Sequence, residues 1–252
     1  PVRVKNIDLF GNTRGMVCEG TYAFVIHGNY LSTLDMADPL DPVTVHDFDL
    51  GGYSSNITQI GDYLYITTGN ETAGLQVLNI NNPLEPSLAG SLTVDVMSMF
   101  YISGDYGYGT SQDMLYIINI SDPDNMFIAG QLPREYSNST LHAADNFVYI
   151  TYHPGDPMTS FDCINAVNPA QPFVQSSMPI PYRNYSLVVK DHYLYYTCNT
   201  TTDKACCVYI MDIAEPGNPV HAGSIDGGGF TYSMAVQNKI LYMADGKGGM
   251  KI

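Results

Sequence analysis

Arginine is scarce in this 252-residue chain, and its placement is the first chemical clue. Arg14, Arg134 and Arg183 all fall in short stretches rich in glycine, polar residues and aromatics. Arg14 ends Leu9-Phe-Gly-Asn-Thr-Arg14, Arg134 lies in Leu132-Pro-Arg-Glu-Tyr-Ser-Asn138, and Arg183 lies in Ile180-Pro-Tyr-Arg-Asn-Tyr185. These and two like stretches, Leu50 to Ser55 and Asp226 to Tyr232, carry Tyr53, Tyr136, Tyr182, Tyr185, Phe230 and Tyr232. A guanidinium presents a planar fork of donors that matches a carboxylate or phosphate. A tyrosine adds a flat face for stacking and a polar tip. Together they predict a binding face for a carboxylate-bearing ligand such as an acidic glycan or an acidic peptide tail. The competing reading pairs each arginine with a local acid, Glu135 and Asp95 being the near ones.

Other reactive groups form no recognisable machinery. The six histidines show no metal-ligand spacing with one another or with cysteine. No calcium loop, nucleophile elbow or phosphate loop occurs. We therefore expect no catalytic residues, no metal and no cofactor. Asp47-Phe-Asp49 puts two carboxylates on one strand face, expected to be solvated, and His153-Pro-Gly-Asp156 reads as a hairpin turn. Of five cysteines, Cys198 and the pair Cys206-Cys207 flank one seven-residue loop. Side chains alternate across a strand, so only one of Cys206 and Cys207 can face Cys198 in a disulfide. Three reduced thiols are the alternative, and a zinc site from these three would lack a fourth ligand. Asn-x-Ser/Thr triplets begin at Asn56, Asn70, Asn119, Asn138, Asn184 and Asn199; in a chain rich in these residues most are expected by chance.

The composition sets the frame for these groups. The formal net charge is -15, from 25 acidic and 10 basic residues. Phosphate backbones demand basic patches, so nucleic acid is excluded as a partner class. No apolar run approaches the roughly 18 residues of a membrane helix, and no membrane insertion by this chain is expected. The chain begins Pro1-Val2-Arg3 without methionine, and any leader or anchor is expected to lie outside it. With 20 Tyr, 23 Gly and 15 Pro, the residues favour short strands joined by tight turns.

Two anchors recur every forty-odd residues. The first is a polar or glycine turn followed by an alternating aromatic strand: Gly20-Thr-Tyr22, Gly61-Asp-Tyr63, Gly104-Asp-Tyr106, Asp145-Asn-Phe147, Asp191-His-Tyr193 and Gln237-Asn-Lys-Ile240. The second closes a strand with a proline turn: Asp35-Met-Ala-Asp38-Pro39, Asn79-Ile-Asn-Asn82-Pro83, Asn119-Ile-Ser-Asp122-Pro123, Asn165-Ala-Val-Asn168-Pro169 and Asp212-Ile-Ala-Glu215-Pro216. Asp or Asn caps its own backbone there and Pro ends the ladder. Four short strands per period is one propeller blade. The expected fold is all-β, a six-bladed β-propeller with four antiparallel strands per blade, one domain over residues 1–252. Blade bounds fall near 14–50, 51–94, 95–135, 136–180, 181–227, and 228–252 plus 1–13. The last repeat stops at a third strand, and Pro1-Val-Arg-Val4 matches the fourth strands at Pro42-Val-Thr-Val45 and Pro219-Val-His-Ala222, so the N-terminal strand is expected to close the last blade. The three arginines do not hold equivalent positions in their repeats.

Met114-Leu-Tyr-Ile-Ile-Asn-Ile-Ser-Asp-Pro123, Val208-Tyr-Ile-Met-Asp-Ile-Ala-Glu-Pro216 and Leu241-Tyr-Met-Ala-Asp-Gly246 resemble the LVIVD repeat of surface or secreted prokaryotic propellers. The fourth repeat, Phe161-Asp-Cys-Ile-Asn-Ala-Val-Asn-Pro169, departs most from it. The resemblance implies a propeller in an extracellular or cell-surface setting and carries no chemistry with it. The expected function is a non-enzymatic binding scaffold for an unidentified glycan, peptide or protein at one end of the blades. The alternatives are a hydrolase or lyase on the same fold, and a structural module of a larger surface protein. A sialidase, which uses arginines and a tyrosine nucleophile, is disfavoured because its repeat boxes need tryptophan and this chain has none.

Overall fold

A computed structural model describes residues 7–69, 74–135, 139–155, 158–180, 185–198, 207–226, 231–246 and 249–252. Their secondary structure is almost all strand, gathered into six antiparallel sheets. The first is β1 (Thr13–Glu19), β2 (Tyr22–His27), β3 (Tyr30–Asp35) and β4 (Val43–Asp49). The second is β5 (Tyr53–Ile60), β6 (Tyr63–Gly69), β7 (Leu75–Asn79) and β8 (Ser87–Leu92). The third is β9 (Met99–Ser103), β10 (Tyr106–Thr110), β11 (Met114–Asn119) and β12 (Phe127–Pro133). The fourth is β13 (Thr140–Ala144), β14 (Phe147–Gly155), β15 (Met158–Asn165) and β16 (Phe173–Ile180). The fifth is β17 (Leu187–Lys190), β18 (Tyr193–Cys198), β19 (Cys207–Asp212) and β20 (Val220–Asp226). The sixth has three described strands, β21 (Ser233–Gln237), β22 (Ile240–Ala244) and β23 (Met250–Lys251). The strand expected to complete it, Pro1–Val4, lies outside the described residues. Neighbouring strands in each sheet are consecutive in sequence, the meander of a propeller blade.

Each blade is written by the same local chemistry. The turn between its first two strands needs a left-handed backbone, supplied by Gly20, Gly61 and Gly104 in three blades and by Asp145, Asp191 and Asn238 in the others. At the end of the third strand, Asp35, Asn79, Asn119, Asn165 and Asp212 each accept a hydrogen bond from the backbone N–H two residues on, at 2.8 to 3.1 Å. Asp38, Asn82, Asp122 and Asn168 repeat the device at the proline turn. After Asp122 that turn tightens into a single 3-10 turn, Pro123–Asn125.

The fourth strand carries a bulge where its register against the third slips by one residue, next to Thr33, Val77, Cys163 and Ile210. The residue beside the bulge must make room for the following proline turn. A Cβ on Gly90 would sit 2.1 Å from the Pro123 carbonyl oxygen, and one on Gly130 would sit 1.8 Å from that of Pro169. Ser176, at the same place in the fourth blade, instead donates its hydroxyl to the Pro216 carbonyl at 2.8 Å.

By packing the chain forms two compact units: residues 1–111 with 118–128, and residues 112–117 with 129–252. The first unit's core gathers Phe24, Ile26, Leu31, Leu50, Leu64, Ile66, Leu78 and Ile80. A cluster in the second unit centres on Phe161, Cys163, Leu194, Tyr196 and Met211. Most of these residues come from alternate positions of second and third strands, as the two-residue period requires, with Leu50 and Ile80 just beyond strand ends.

Candidate functional site

Superimposing the repeats on their aromatic anchors exposes a polar position near the end of every second strand: His27, Thr68, Ser111, Tyr152, Cys198 and Asp245. The side chains described there are all buried. A second polar position lies on the third strand at Ser32, Gln76, Tyr116, Asp162, Tyr209 and Lys251, inside otherwise apolar runs. Buried polar groups need partners, so the blades build short polar chains at this end.

In the first unit the chain is continuous. His27 Nδ1 lies 2.6 Å from the Phe10 carbonyl oxygen, and Nε2 lies 2.6 Å from Ser32 Oγ. Ser32 Oγ donates to Asp47 Oδ1 at 2.5 Å. The Asp47-Phe-Asp49 pair is exposed, as expected, and also hydrogen-bonded: Asp47 ends this chain, and Asp49 accepts the Gly51 N–H. In the second blade Gln76 Nε2 donates to the Leu50 carbonyl at 2.8 Å.

In the second unit the polar positions bear charge. Asp162 is fully buried, with Oδ2 2.5 Å from Arg134 Nε and Oδ1 accepting from Ser177 Oγ at 2.6 Å. Arg134 also donates to the Tyr152 hydroxyl from Nε and Nη2. Burial pushes the Asp162 carboxyl above the usual carboxylate range, against the lowering pull of Ser177, Arg134 and Tyr152. Asp245, also fully buried, holds Lys251 Nζ at 2.5 Å and accepts from Thr231 Oγ1. Burial holds His142 neutral, its imidazole pulled down to about 4, and pushes the Cys163 thiol up to about 12.

The arginines of the sequence therefore have different fates. Arg134 is bound to Asp162, an acid 28 residues on that lies in the repeat departing most from the pattern. Arg14 stands exposed over the exposed Tyr53 ring, its guanidinium carbon 4.8 Å from the ring centroid. Among the described residues no carboxylate comes within ion-pair reach of Arg14. Tyr185 and Tyr232 meet edge to face at 6.2 Å, both half-exposed, in the second unit. Arg183, Tyr136, Tyr182, Phe230 and Cys206 lie outside the described residues. Cys207 stands directly opposite Cys198 in the pairing of β18 with β19. Among the described residues no group of three or more His, Cys, Asp or Glu could hold a metal ion, and no helix is long and apolar enough to cross a membrane.

Asp162, Asp47, His27 and Ser32 went unnoticed as partners in the sequence. The available signal was a polar residue at the same register of successive third strands, including an aspartate between Phe161 and Cys163.

Six sheets of consecutive antiparallel strands on this repeat make the chain a six-bladed β-propeller. It carries three LVIVD repeats, matched at residues 10–49, 51–94 and 98–132. No curated protein matches the sequence. Among solved structures it is similar to a functionally unknown protein from Desulfotomaculum acetoxidans DSM 771, with a TM-score of 0.70 and 12% identity, over 95% of this chain and 81% of that one. It is similar to hydrazine synthase of Kuenenia stuttgartiensis, with a TM-score of 0.65 and 12% identity, over 92% and 80%. It is likewise similar to the Pan2 WD40 domain of Neurospora crassa, with a TM-score of 0.65 and 11% identity, over 94% and 73%. At these identities the likeness is one of fold.

Proposed function

We propose that this propeller is a non-enzymatic, extracytoplasmic binding scaffold, and that Arg14 and Tyr53 form its face for a carboxylate-bearing ligand, an acidic glycan or an acidic peptide segment. One observation carries the reading: Arg14 is stacked on an exposed aromatic ring while no carboxylate among the described residues neutralises it. Stacking orients the guanidinium plane and leaves its donor edge to the ligand. Tyr185 and Tyr232 offer a second, uncharged aromatic platform for sugar rings or apolar side chains. With a net charge of -15 the protein as a whole repels anions, so any attraction is local to Arg14.

Calorimetric titration with tetragalacturonate, a glutamate-rich peptide and a neutral oligosaccharide tests this. We expect saturable binding of one of the two acidic probes and its loss in Arg14→Ala. Binding of the neutral sugar alone would move the site to Tyr185 and Tyr232, and binding of no probe would leave a structural module. The extracytoplasmic setting rests on the LVIVD resemblance and bears on Cys198, since disulfides persist in oxidising compartments. Non-reducing peptide mapping is expected to return a Cys198–Cys207 link; recovery of both as free thiols would count against that setting.

A further inference from the structure

We infer that a β-bulge aims Arg14 at the following blade, and that Gly15 is the positioning residue that lets β1 approach β5 closely enough for the guanidinium to seat on Tyr53. The inference rests on the reading of that pair as the ligand face and concerns how the pair is held. Along β1, Thr13 stands opposite His27 and Gly15 opposite Ile26, so Arg14 is an extra residue with no partner position on β2. Bulges of this kind bend a strand and redirect one side chain. The second blade has the same device: Ser54 stands opposite Thr68 and Asn56 opposite Thr67, leaving Ser55 as the extra residue. Ser55 Oγ lies 2.8 Å from Thr67 Oγ1 and donates to the Met97 carbonyl at 3.1 Å, on the approach to β9. Arg14 likewise reaches the start of β5, where Tyr53 stands. In both blades the extra residue addresses the segment that opens the next one.

The turn between β2 and β3 fastens both segments. Its Gly28 carbonyl accepts from Ser54 N at 3.0 Å and Ser54 Oγ at 3.1 Å, one residue after Tyr53. Gly28 N donates to the Asn12 carbonyl at 3.3 Å, two residues before Arg14. The gap between the strands is then left to Gly15. A Cβ built there would lie 2.7 Å from Ile57 Cγ2 on β5. Carbon atoms in contact keep about 3.5 to 4.0 Å, so an alanine would part the strands by about one ångström. The Ile57 methyl cannot swing aside, because it sits on a branched Cβ with a restricted χ1. The Gly15 backbone is not left-handed, so what this residue supplies is room. The Arg14 guanidinium carbon is 4.8 Å from the Tyr53 centroid. That is only about one ångström inside the roughly 6 Å reach of a cation–π contact, and a separation of that size unseats it.

The test follows the Arg14 Nε–H proton by NMR, whose shift carries the ring current of Tyr53 and changes in Tyr53→Leu. Gly15→Ala should move the signal toward its Tyr53→Leu position and weaken tetragalacturonate binding roughly two- to fivefold, the worth of an exposed cation–π contact. Ile57→Leu removes the methyl that meets the new Cβ and keeps the side-chain volume, so Gly15→Ala combined with Ile57→Leu should restore both. A merely structural role for Gly15 would lower the denaturation midpoint and leave the Arg14 signal in place. An unmoved Arg14 signal in Gly15→Ala, or a double variant whose signal stays displaced, overturns the inference; the double variant decides alone where Gly15→Ala does not fold. Tetragalacturonate binding untouched by Arg14→Ala overturns the ligand-face reading instead, while the ring-current shift still decides the role of Gly15.

Discussion

Arg14 in the first unit and Arg134 in the second are the same residue type at the same kind of blade end, yet they do opposite work. Arg134 reaches a fully buried carboxylate and two hydroxyls, and about a third of its side chain stays exposed. Arg14 reaches an exposed ring and no carboxylate among the described residues. The difference lies in the third strand of each blade. The fourth blade places Asp162 where the first places Ser32, and a buried acid recruits the nearest cation. In the first blade the acid stands one strand further out, at Asp47 opposite Ser32, and Arg14 is left for solvent or ligand. An arginine in a propeller loop is thus read by the residue beneath it rather than by its own loop.

The comparison can be tested in order of effect. Blade packing is common to both units, so Gly90→Val and Gly130→Val should cost alike, each about 3 kcal/mol from overpacking against a backbone carbonyl. Gly130→Ser should also be costly, since its Cβ alone meets the Pro169 carbonyl oxygen, unlike Ser176, whose blade already leaves room for a hydrogen bond there. Chemical denaturation reads both; a tolerated valine would mean the blades shift freely at that contact.

Next is acid sensitivity in the second unit. The His142 imidazole is pulled down to about 4 by burial, whereas the unfolded chain binds the proton near 6.5. The unfolded state therefore takes up more protons, and stability falls as pH drops from about 6.5 toward 4, by about 2 to 3 kcal/mol at most. His142→Leu should flatten that limb, and an unchanged limb would assign it to other groups.

Arg134→Ala should then cost about 2 kcal/mol at neutral pH, less than a fully enclosed pair because Arg134 is partly solvated. The deficit should shrink in acid, where Asp162, already shifted upward by burial, takes a proton and loses its need for a cation. Arg14→Ala should change stability by no more than about 0.5 kcal/mol. Equal losses for the two variants would erase the distinction.

Much of the fold was legible because it rests on local rules repeated blade after blade. The Asx turns at Asp35, Asn79, Asn119, Asn165 and Asp212 and the left-handed turns at Gly20 or Asp145 are written in adjacent residues. The site was legible only as a set of residue types. Glu135 and Asp95 were the near acids in sequence, yet Arg134 chose Asp162, because the partner is set by strand register across the sheet and not by distance along the chain. Likewise Asp47 is the exposed carboxylate expected from the sequence, but its bond to Ser32 follows only from the pairing of β3 with β4. The Cys198 pairing shows the intermediate case, since alternation narrowed it to two candidates and register places Cys207 opposite.

The most direct test of the ligand-face reading is an NMR titration of the arginine Nε–H signals with tetragalacturonate. The Arg14 signal should move and saturate while the Arg134 signal, held by Asp162, stays in place. Movement of Arg134 with Arg14 unmoved would contradict the assignment of the two arginines and with it the proposed binding face.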